Sequence, residues 1–491
     1  MKLVVVLGRG LLVLAIGVGC GRLSPGDLPP TDESAEALHR LLYQLPTPDE
    51  GRARQRHTWL RRFYQWRDEQ PAWTGVSGVH ARADELLLEL DNAWRHGLNP
   101  ETYGRTPLRL AVTALRVGSI HDAAAAAAVD VGLTAAFLAL ADDLRRGAVD
   151  PTAASISWGV RRPSTDLSGL LETAISLDQV GINLRRLAPT SPEYRRLQRA
   201  LVESAGKTPE DQAPSVELLC ANLERWRWLP RDLGRQYLLV RIADFELDLV
   251  SNGQRQTRRV IVGEPYRQTP QFASEVTHVV VHPPWRVPSR IADEELAPGL
   301  DPERGALRLG ALQQQGFEAW NHAGQRVALD SLRWVSTDGF SSKYRLEQRP
   351  GGSNPLGRIK LELENPFSIY LHDTPGAGLF TKLGRDLSHG CVRVEEIVDL
   401  VRQLLRSSTT AARQFEALLA SAETGRVELP TPVPVYLLYW TVSVTPAGEI
   451  RAASDLYDVD RRLLEALRQT PGAGPWLAPM LRVHFSKQQG S

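Results

Sequence analysis

The chain has 491 residues, with 58 Lys and Arg against 57 Asp and Glu, for a formal net charge of +1. Hydrophobic residues make up 42% and charged residues 23%. A chain of this kind can bury full cores in roughly two to four domains; it is neither intrinsically disordered nor basic enough to suggest a nucleic-acid partner. Three cysteines, Cys20, Cys220 and Cys391, exclude a disulfide framework and a cysteine-based structural zinc site.

Residues 1–20 read as an export signal. Lys2 and Arg9 are followed by the apolar run Leu11–Val18 and by Gly19-Cys20, which gives a charged region, a short hydrophobic region and a small residue at the boundary. The run is far short of the ~20 residues that span a bilayer, and no later segment reads as approaching that length. Cys20 stands where the lipidated cysteine of a bacterial lipoprotein would stand, although Gly17 occupies the position where Leu is usual. The chain is thus either tethered through Cys20 or cleaved and soluble, and in both cases exported.

Residues 21–50, with Pro25, Pro29, Pro30, Pro46 and Pro48, read as a linker. From 51 to 207 the pattern is helical. Residues 83–94 carry apolar side chains at three- and four-residue spacing before Gly97 and Pro100. The alanine-rich stretch from Ala123 runs through Phe137 and Leu140 to stop at Gly147 and Pro151. Asp142, Asp143, Arg145 and Arg146 read as a solvated face. Residues 205–214 are a polar break and a domain boundary. A helix from Val216 to Trp228 follows, with Trp226 and Trp228 as packing aromatics and Cys220 as a small buried hydrophobe.

After Pro230 the periodicity changes to two. Tyr237–Val250, the turn Ser251-Asn-Gly253 and Arg258–Val262 read as a hairpin; Thr277–His282, Arg358–Leu363 and Ser368–His372 are further strands. Residues 293–345 look like an insertion with a short helix over Gly310–Trp320. Val392–Leu405 reads as a helix, and Val433–Val444 with Glu449–Ala453 as a C-terminal hairpin turning at Pro446-Ala-Gly448.

The residues that carry chemistry are Ile369-Tyr-Leu-His372-Asp-Thr-Pro375 and Ser388-His-Gly-Cys-Val-Arg393. A cysteine nucleophile acts as the thiolate, and a free thiol with a pKa near ~8.5 needs help at neutral pH. His372 or His389 could take the thiol proton and return it to a leaving amine. Gly390 lets the backbone approach a substrate carbonyl, so main-chain N–H groups around Cys391 could form an oxyanion hole. A helix beginning at Val392 would favour the thiolate through its N-terminal end, and Arg393 supplies a cation for a carboxylate. Asp373 would face away from His372 in a strand and is not its orienter. A metal held by His372, His389 and Cys391 lacks the spacing of zinc motifs. The plain alternative is an inert buried thiol beside a core histidine.

Those two segments, with fifteen residues between His372 and Ser388, resemble the signature of L,D-transpeptidases with a YkuD-type catalytic domain. The resemblance extends to the large periplasmic subgroup similar to YcbB. It is carried by Phe63-Tyr64 with Gln70-Pro-Ala-Trp73, His96–Tyr103, Asn222-Leu-Glu-Arg-Trp-Arg-Trp-Leu-Pro230, Pro284-Trp-Arg-Val-Pro288 and Asn354-Pro-Leu-Gly-Arg-Ile-Lys360. It implies an α+β multidomain protein: an α-helical N-terminal scaffold domain over 51–207, then a mainly β catalytic domain over 216–470. An inserted lid covers about 286–353, and a C-terminal hairpin about 433–453. Cys391 would be the nucleophile and His372 its general base, with His389 assisting. Arg393, Ser388, Gly390 and Tyr370 would line the substrate site, and Trp320, Trp334 and Tyr344 are lid aromatics with either substrate or core contacts.

The activity so implied is cross-linking of peptidoglycan stem peptides through a cysteine thioester, with no cofactor and no metal, and with carbapenem-like β-lactams acylating the same sulfur. The alternatives are a cysteine carboxypeptidase or amidase acting on the wall, and a non-catalytic wall-binding scaffold. Partners would be stem peptides and other wall-synthesis enzymes in the periplasm, with membrane contact only through an N-terminal lipid anchor. The peptidoglycan-binding module common before Asn222 in large members does not fit here, because about fifteen polar residues separate Leu201 from Val216.

Overall fold

The structure is a computed structural model. It describes residues 2–7, 10–15 and 31–469, apart from 46, 49–50, 76–77, 119–122, 208–213, 297–304 and 335–338. Cys20 lies outside these residues, while Lys2–Leu7 and Gly10–Ala15 of the expected export signal are described as two antiparallel strands. The chain divides into two compact units, one of Met1–Arg231 with Trp440–Ser491 and one of Asp232–Tyr439. A helical unit and a mainly β unit are the architecture read from the sequence.

In the helical unit the helices Thr31–Gln44, Gly51–Trp66, Arg105–Arg116 and Leu167–Ser176 pack on a central helix, Ala123–Arg146. The segment expected to be a linker therefore carries a packed helix, with Leu38 and Leu42 buried. The central helix is 24 residues long and apolar enough to cross a bilayer, contrary to expectation. Its most apolar window is 83% buried within the unit, so this is a core helix.

Asp142 and Asp143 overturn their reading as a solvated face: they are 0% and 2% exposed. Arg52 bonds both carboxylates at 2.7 Å, Arg56 and Arg146 reach Asp142 at 2.8 and 2.6 Å, and the Tyr103 hydroxyl donates to Asp143 at 2.8 Å. Buried carboxylates need such partners. Two of the four, Arg52 and Arg56, come from a helix some ninety residues upstream, which local periodicity cannot reveal.

The helix Val216–Arg227 belongs to this unit, so the boundary falls after Arg231 and not near residue 207. Its charged residues explain why. Buried Glu224 accepts from the Val149 amide (2.8 Å) and the Trp228 indole (3.0 Å) and pairs with Arg227. Arg225 pairs with Asp460 at 2.6 Å, and Trp226 stacks on Trp440 with centroids 4.5 Å apart. The Asn222–Pro230 segment is thus a structural clasp on the returning C-terminal segment. Cys220 is buried, which pushes its thiol up to about 12.

The second unit is built on eight strands: β1 Gln236–Arg241, β2 Glu246–Ser251, β3 Gln254–Gly263, β4 Gln271–Val281, β5 Ile359–Leu363, β6 Leu371–His372, β7 Val392–Val394 and β8 Gly425–Leu438. Their order is β5-β6-β7-β3-β2-β1-β8-β4, and β4 pairs with β5 to close the ring. Along this path all neighbours are antiparallel except β6–β7 and β1–β8, and a further short strand, Asp386–Ser388, pairs parallel with β3 beside it. Alternate residues such as Leu238, Val240, Val260, Val262, Leu361, Val392 and Val394 are 0% exposed and fill the core.

Several sequence expectations shift. Tyr237–Val250 is two strands reversing through residues 242–245, where Phe245 takes φ 55°; no Asn-Gly or Pro marks that turn. Val433–Leu438 ends the long strand β8, and the C-terminal hairpin is Val442–Val444 with Ile450–Ala452. Residues 392–394 are strand, with the helix beginning only at Ile397. The insertion carries a helix at Gly305–Gln314 and a strand at Phe317–Asn321, not a helix to Trp320. Four of its strands, in the order Trp285–Arg286, Tyr344–Gln348, Phe317–Asn321 and Arg326–Val327, form a separate sheet over a core of Phe317, Leu332, Phe340 and Leu346.

Candidate active site

The parallel pairing of β6 with β7 builds the site. Leu371 stands beside Val392 and His372 beside Arg393, and the Val392 amide donates to the Tyr370 carbonyl at 3.1 Å. Paired residues on neighbouring strands point to the same face. Leu371 and Val392 therefore enter the core, while Tyr370, His372, Cys391 and Arg393 share the opposite face. Lys360 pairs with His372 across β5–β6 and joins them.

His372 is 4% exposed. Its Nδ1 faces the Asp373 carbonyl at 2.6 Å, and the Pro355 carbonyl also bonds the ring; with the proton on Nδ1, the lone pair of the neutral ring is on Nε2. Burial, then the Arg393 and Lys360 cations, push its pKa down to about 3. The ring is therefore a neutral proton acceptor at physiological pH. Asp373 acts only through its main chain here, because its carboxylate accepts from the Arg358 amide at 2.8 Å.

Cys391 is half-buried, and its thiol faces the Ser368 carbonyl at 3.9 Å. Crowding around the sulfur raises its pKa. Bonds from the Tyr370 amide and hydroxyl, and the charges of Lys360 and Arg393, pull it the other way. The helix N-terminus expected at Val392 is absent, so it makes no contribution. Tyr370 is held neutral by burial and by its bond to the sulfur. Arg393 faces the sulfur and Glu264, burial lowers its pKa, and its Nε is buried without a hydrogen-bond partner.

The turn before Cys391 is clamped from inside. Gly390 has φ 111°, and a side chain there would press on Ile369 at 3.3 Å and the Gln268 carbonyl at 3.4 Å, so glycine is required. Ser388 is 2% exposed; its hydroxyl accepts from the Gly390 amide (3.1 Å) and donates to the Cys391 carbonyl (2.6 Å). Thr269, missed in the sequence, donates to the Gly390 carbonyl at 2.8 Å. The Gly390 and Val392 amides on either side of Cys391 are engaged by Ser388 and the Tyr370 carbonyl, so neither is open to a substrate carbonyl.

His389 is turned to another task. It is exposed and pairs with Glu295 of the insertion at 2.6 Å, and Arg267 holds the same carboxylate at 2.6 Å. The structure brings His372 to the shared face with Cys391 and places His389 on the lid stem. Asn354 is 0% exposed and bonds the carbonyls of Pro283 (3.0 Å) and Arg349 (3.2 Å), tying the two ends of the insertion together. Tyr344 packs on Phe340 in the lid core, Trp320 carries Arg345 over its ring, and the side chain of Trp334 lies outside the described residues.

A cavity of about 650 Å³ is lined by Ser274, Thr277, His278, Lys360, Glu362 and Tyr370, among others, and by Ser368, which faces the thiol. Its polar wall was legible as the period-two alternation of Lys360 and Glu362, but the sequence reading assigned neither a role. Among the described residues no group of three or more His, Cys, Asp or Glu could hold a metal ion.

Comparison with known proteins agrees with this division. Residues 58–201 match a family described as a scaffold domain, and residues 235–435 match YkuD, the L,D-transpeptidase catalytic domain. A Haemophilus influenzae protein whose name places it among the L,D-transpeptidases is 28% identical over 406 residues, 82% of this chain and 78% of its own. Two solved structures, an L,D-transpeptidase from Mycobacterium smegmatis and the Ldtfm–avibactam carbamoyl enzyme, align at 11% and 12% identity. They cover 42% and 43% of this chain and 58% and 51% of theirs, with TM-scores of 0.21 and 0.20, too low to inform the geometry above. The chain thus carries a scaffold domain followed by a YkuD L,D-transpeptidase catalytic domain.

Proposed function

We propose that the protein cross-links peptidoglycan stem peptides by two acyl transfers through Cys391. The observation that carries this reading is the β6–β7 register, which puts a buried neutral imidazole, a thiol and a guanidinium with a buried unpartnered Nε on one face. In the first transfer the thiol rotates from Ser368 toward His372 and gives up its proton to Nε2. The sulfur then bonds to the carbonyl carbon of the third residue of a tetrapeptide stem. The bond to the terminal D-alanine breaks, and its nitrogen takes the proton back from His372. In the second transfer the side-chain amine of a diamino acid on another stem attacks the thioester, passes a proton through His372 and releases the thiol. The Cys391 amide would stabilise both oxyanions, and Arg393 would hold a stem carboxylate.

An exported, periplasmic enzyme is the setting for this reaction. Incubation with purified muropeptides, followed by mass, tests it. Cross-linked dimers support transpeptidation, whereas shortened monomers alone would show that water is the acceptor and the protein is a carboxypeptidase. Cys391→Ala that still produced dimers, or still formed a carbapenem adduct, would overturn the nucleophile assignment. The intact mass from the same experiment reports lipidation of Cys20.

A further inference from the structure

The site holds a thiol whose surroundings raise its pKa, and the helix end expected to favour the thiolate is not there. Fixed positive charge beside the sulfur favours the thiolate in its place. Arg393 is one source, and in the proposed reaction its guanidinium is also the group presented to a substrate carboxylate.

Lys360 is the second source, and it is held. Its ammonium lies 4.4 Å from the centroid of the Tyr370 ring, a cation–π contact, and Tyr370 reaches the sulfur through both its hydroxyl and its amide. Glu362, two residues along the same strand, grips the ammonium at 2.6 Å through Oε1. The other oxygen of that carboxylate is bonded by His278 Nε2 at 2.9 Å, and His278 Nδ1 lies 3.0 Å from the Thr277 hydroxyl. His278 is 8% exposed, so the far end of the chain is fixed in the wall. The groups acting on the sulfur are Lys360 from β5, Tyr370 just before β6 and Arg393 from β7; behind them stand Glu362 of β5 and His278 of β4 on Lys360, Glu264 just after β3 on Arg393, and His372 of β6 beside both cations.

We propose that Lys360 is a positioning residue for the nucleophile: anchored by Glu362 and His278 and seated on Tyr370, it supplies the permanent cation against which Cys391 ionises. The proposal rests on Cys391 being the nucleophile, as argued above, but not on the identity of the acceptor. Glu362 sets where the charge sits, and Tyr370 passes its influence to the sulfur by keeping its own hydroxyl bonded there.

Alkylation of Cys391 by iodoacetamide tests this without any wall substrate. The rate is followed by intact mass from pH 6 to 11 in wild type, Lys360→Met and Lys360→Arg. One charge at several ångström and an effective dielectric near 20 moves a titration by roughly one pH unit. The inflection of Lys360→Met should therefore rise by about one unit, and that of Lys360→Arg should stay within about 0.3 units of wild type. Thermal melting shows whether each variant is folded, and Lys360→Gln replaces Lys360→Met if the latter is not. An unmoved inflection in Lys360→Met, or an equal shift in Lys360→Arg, overturns the proposal. Loss of cross-linking with an unmoved inflection would overturn it while leaving the transpeptidase reading intact; dimer formation failing in wild type would do the reverse.

Discussion

Removing the Ser388 hydroxyl should both destabilise the second unit and loosen the backbone at Cys391. That oxygen bridges the Gly390 amide and the Cys391 carbonyl at 3.1 and 2.6 Å from a site only 2% exposed. Ser388→Ala deletes two hydrogen bonds worth about 0.5–1.5 kcal/mol each and leaves a buried amide unpaired at about 1–3 kcal/mol. Gly390 also sits at φ 111°, a conformation that persists only while its surroundings hold it. Together these give a loss of roughly 2–4 kcal/mol. For a unit of about two hundred residues, each kcal/mol lowers the melting temperature by about 2–4 °C, so calorimetry should show a drop of roughly 5–15 °C. Iodoacetamide should report an altered Cys391 rate in the same variant at a temperature where it is folded. A drop of less than 2 °C with an unchanged alkylation rate would refute the clamp.

Three further outcomes follow from the buried charges. Because His372 is held near pKa 3 and the thiol is raised, the alkylation profile of Cys391 should show one inflection, above the ordinary thiol value near ~8.5; a reactive plateau between pH 5 and 7 would mean a resting thiolate–imidazolium pair instead. The same histidine makes the fold acid-sensitive. Its folded pKa lies below its unfolded one, so the unfolded chain takes up the proton first, and stability falls as pH drops from about 6.5 towards 3, by up to ~1.4 kcal/mol per unit. Urea melts at pH 7 and pH 5 should differ by about 2 kcal/mol from this group, and His372→Gln should remove that share; an equal pH dependence in the variant would contradict it. In the helical unit, Glu224→Gln should cost about 3–5 kcal/mol by stranding buried Arg227, with denaturant melts as the measure and a loss under 1 kcal/mol as the contrary result.

Much of the site was legible because its chemistry is local. His372 and Cys391 lie in two short segments, and the strand read over 368–372 already carried His372. The clamp at Ser388 and Gly390 is also a matter of neighbours in sequence. What local pattern misjudged was the element after Cys391: Val392 to Leu405 has helix-compatible spacing throughout, yet Val392–Val394 is drawn into the sheet between β6 and β3. Burial of Val392 and Val394 at 0% and the ladder bonds on both sides outweigh propensity there.

The sequence by itself determined the two-part plan, the candidate cysteine with two candidate histidines, and the resemblance to a YkuD catalytic domain, since each rests on residue types at short spacing. Only the tertiary structure decided which of two histidines stands with the thiol, that Asp142 and Asp143 are interior, and that Lys360 and Arg393 replace a helix end as the local cations. Those choices depend on which distant strands and helices become neighbours, and a carboxylate or a histidine reads the same in sequence whether its partner is water or an arginine ninety residues away.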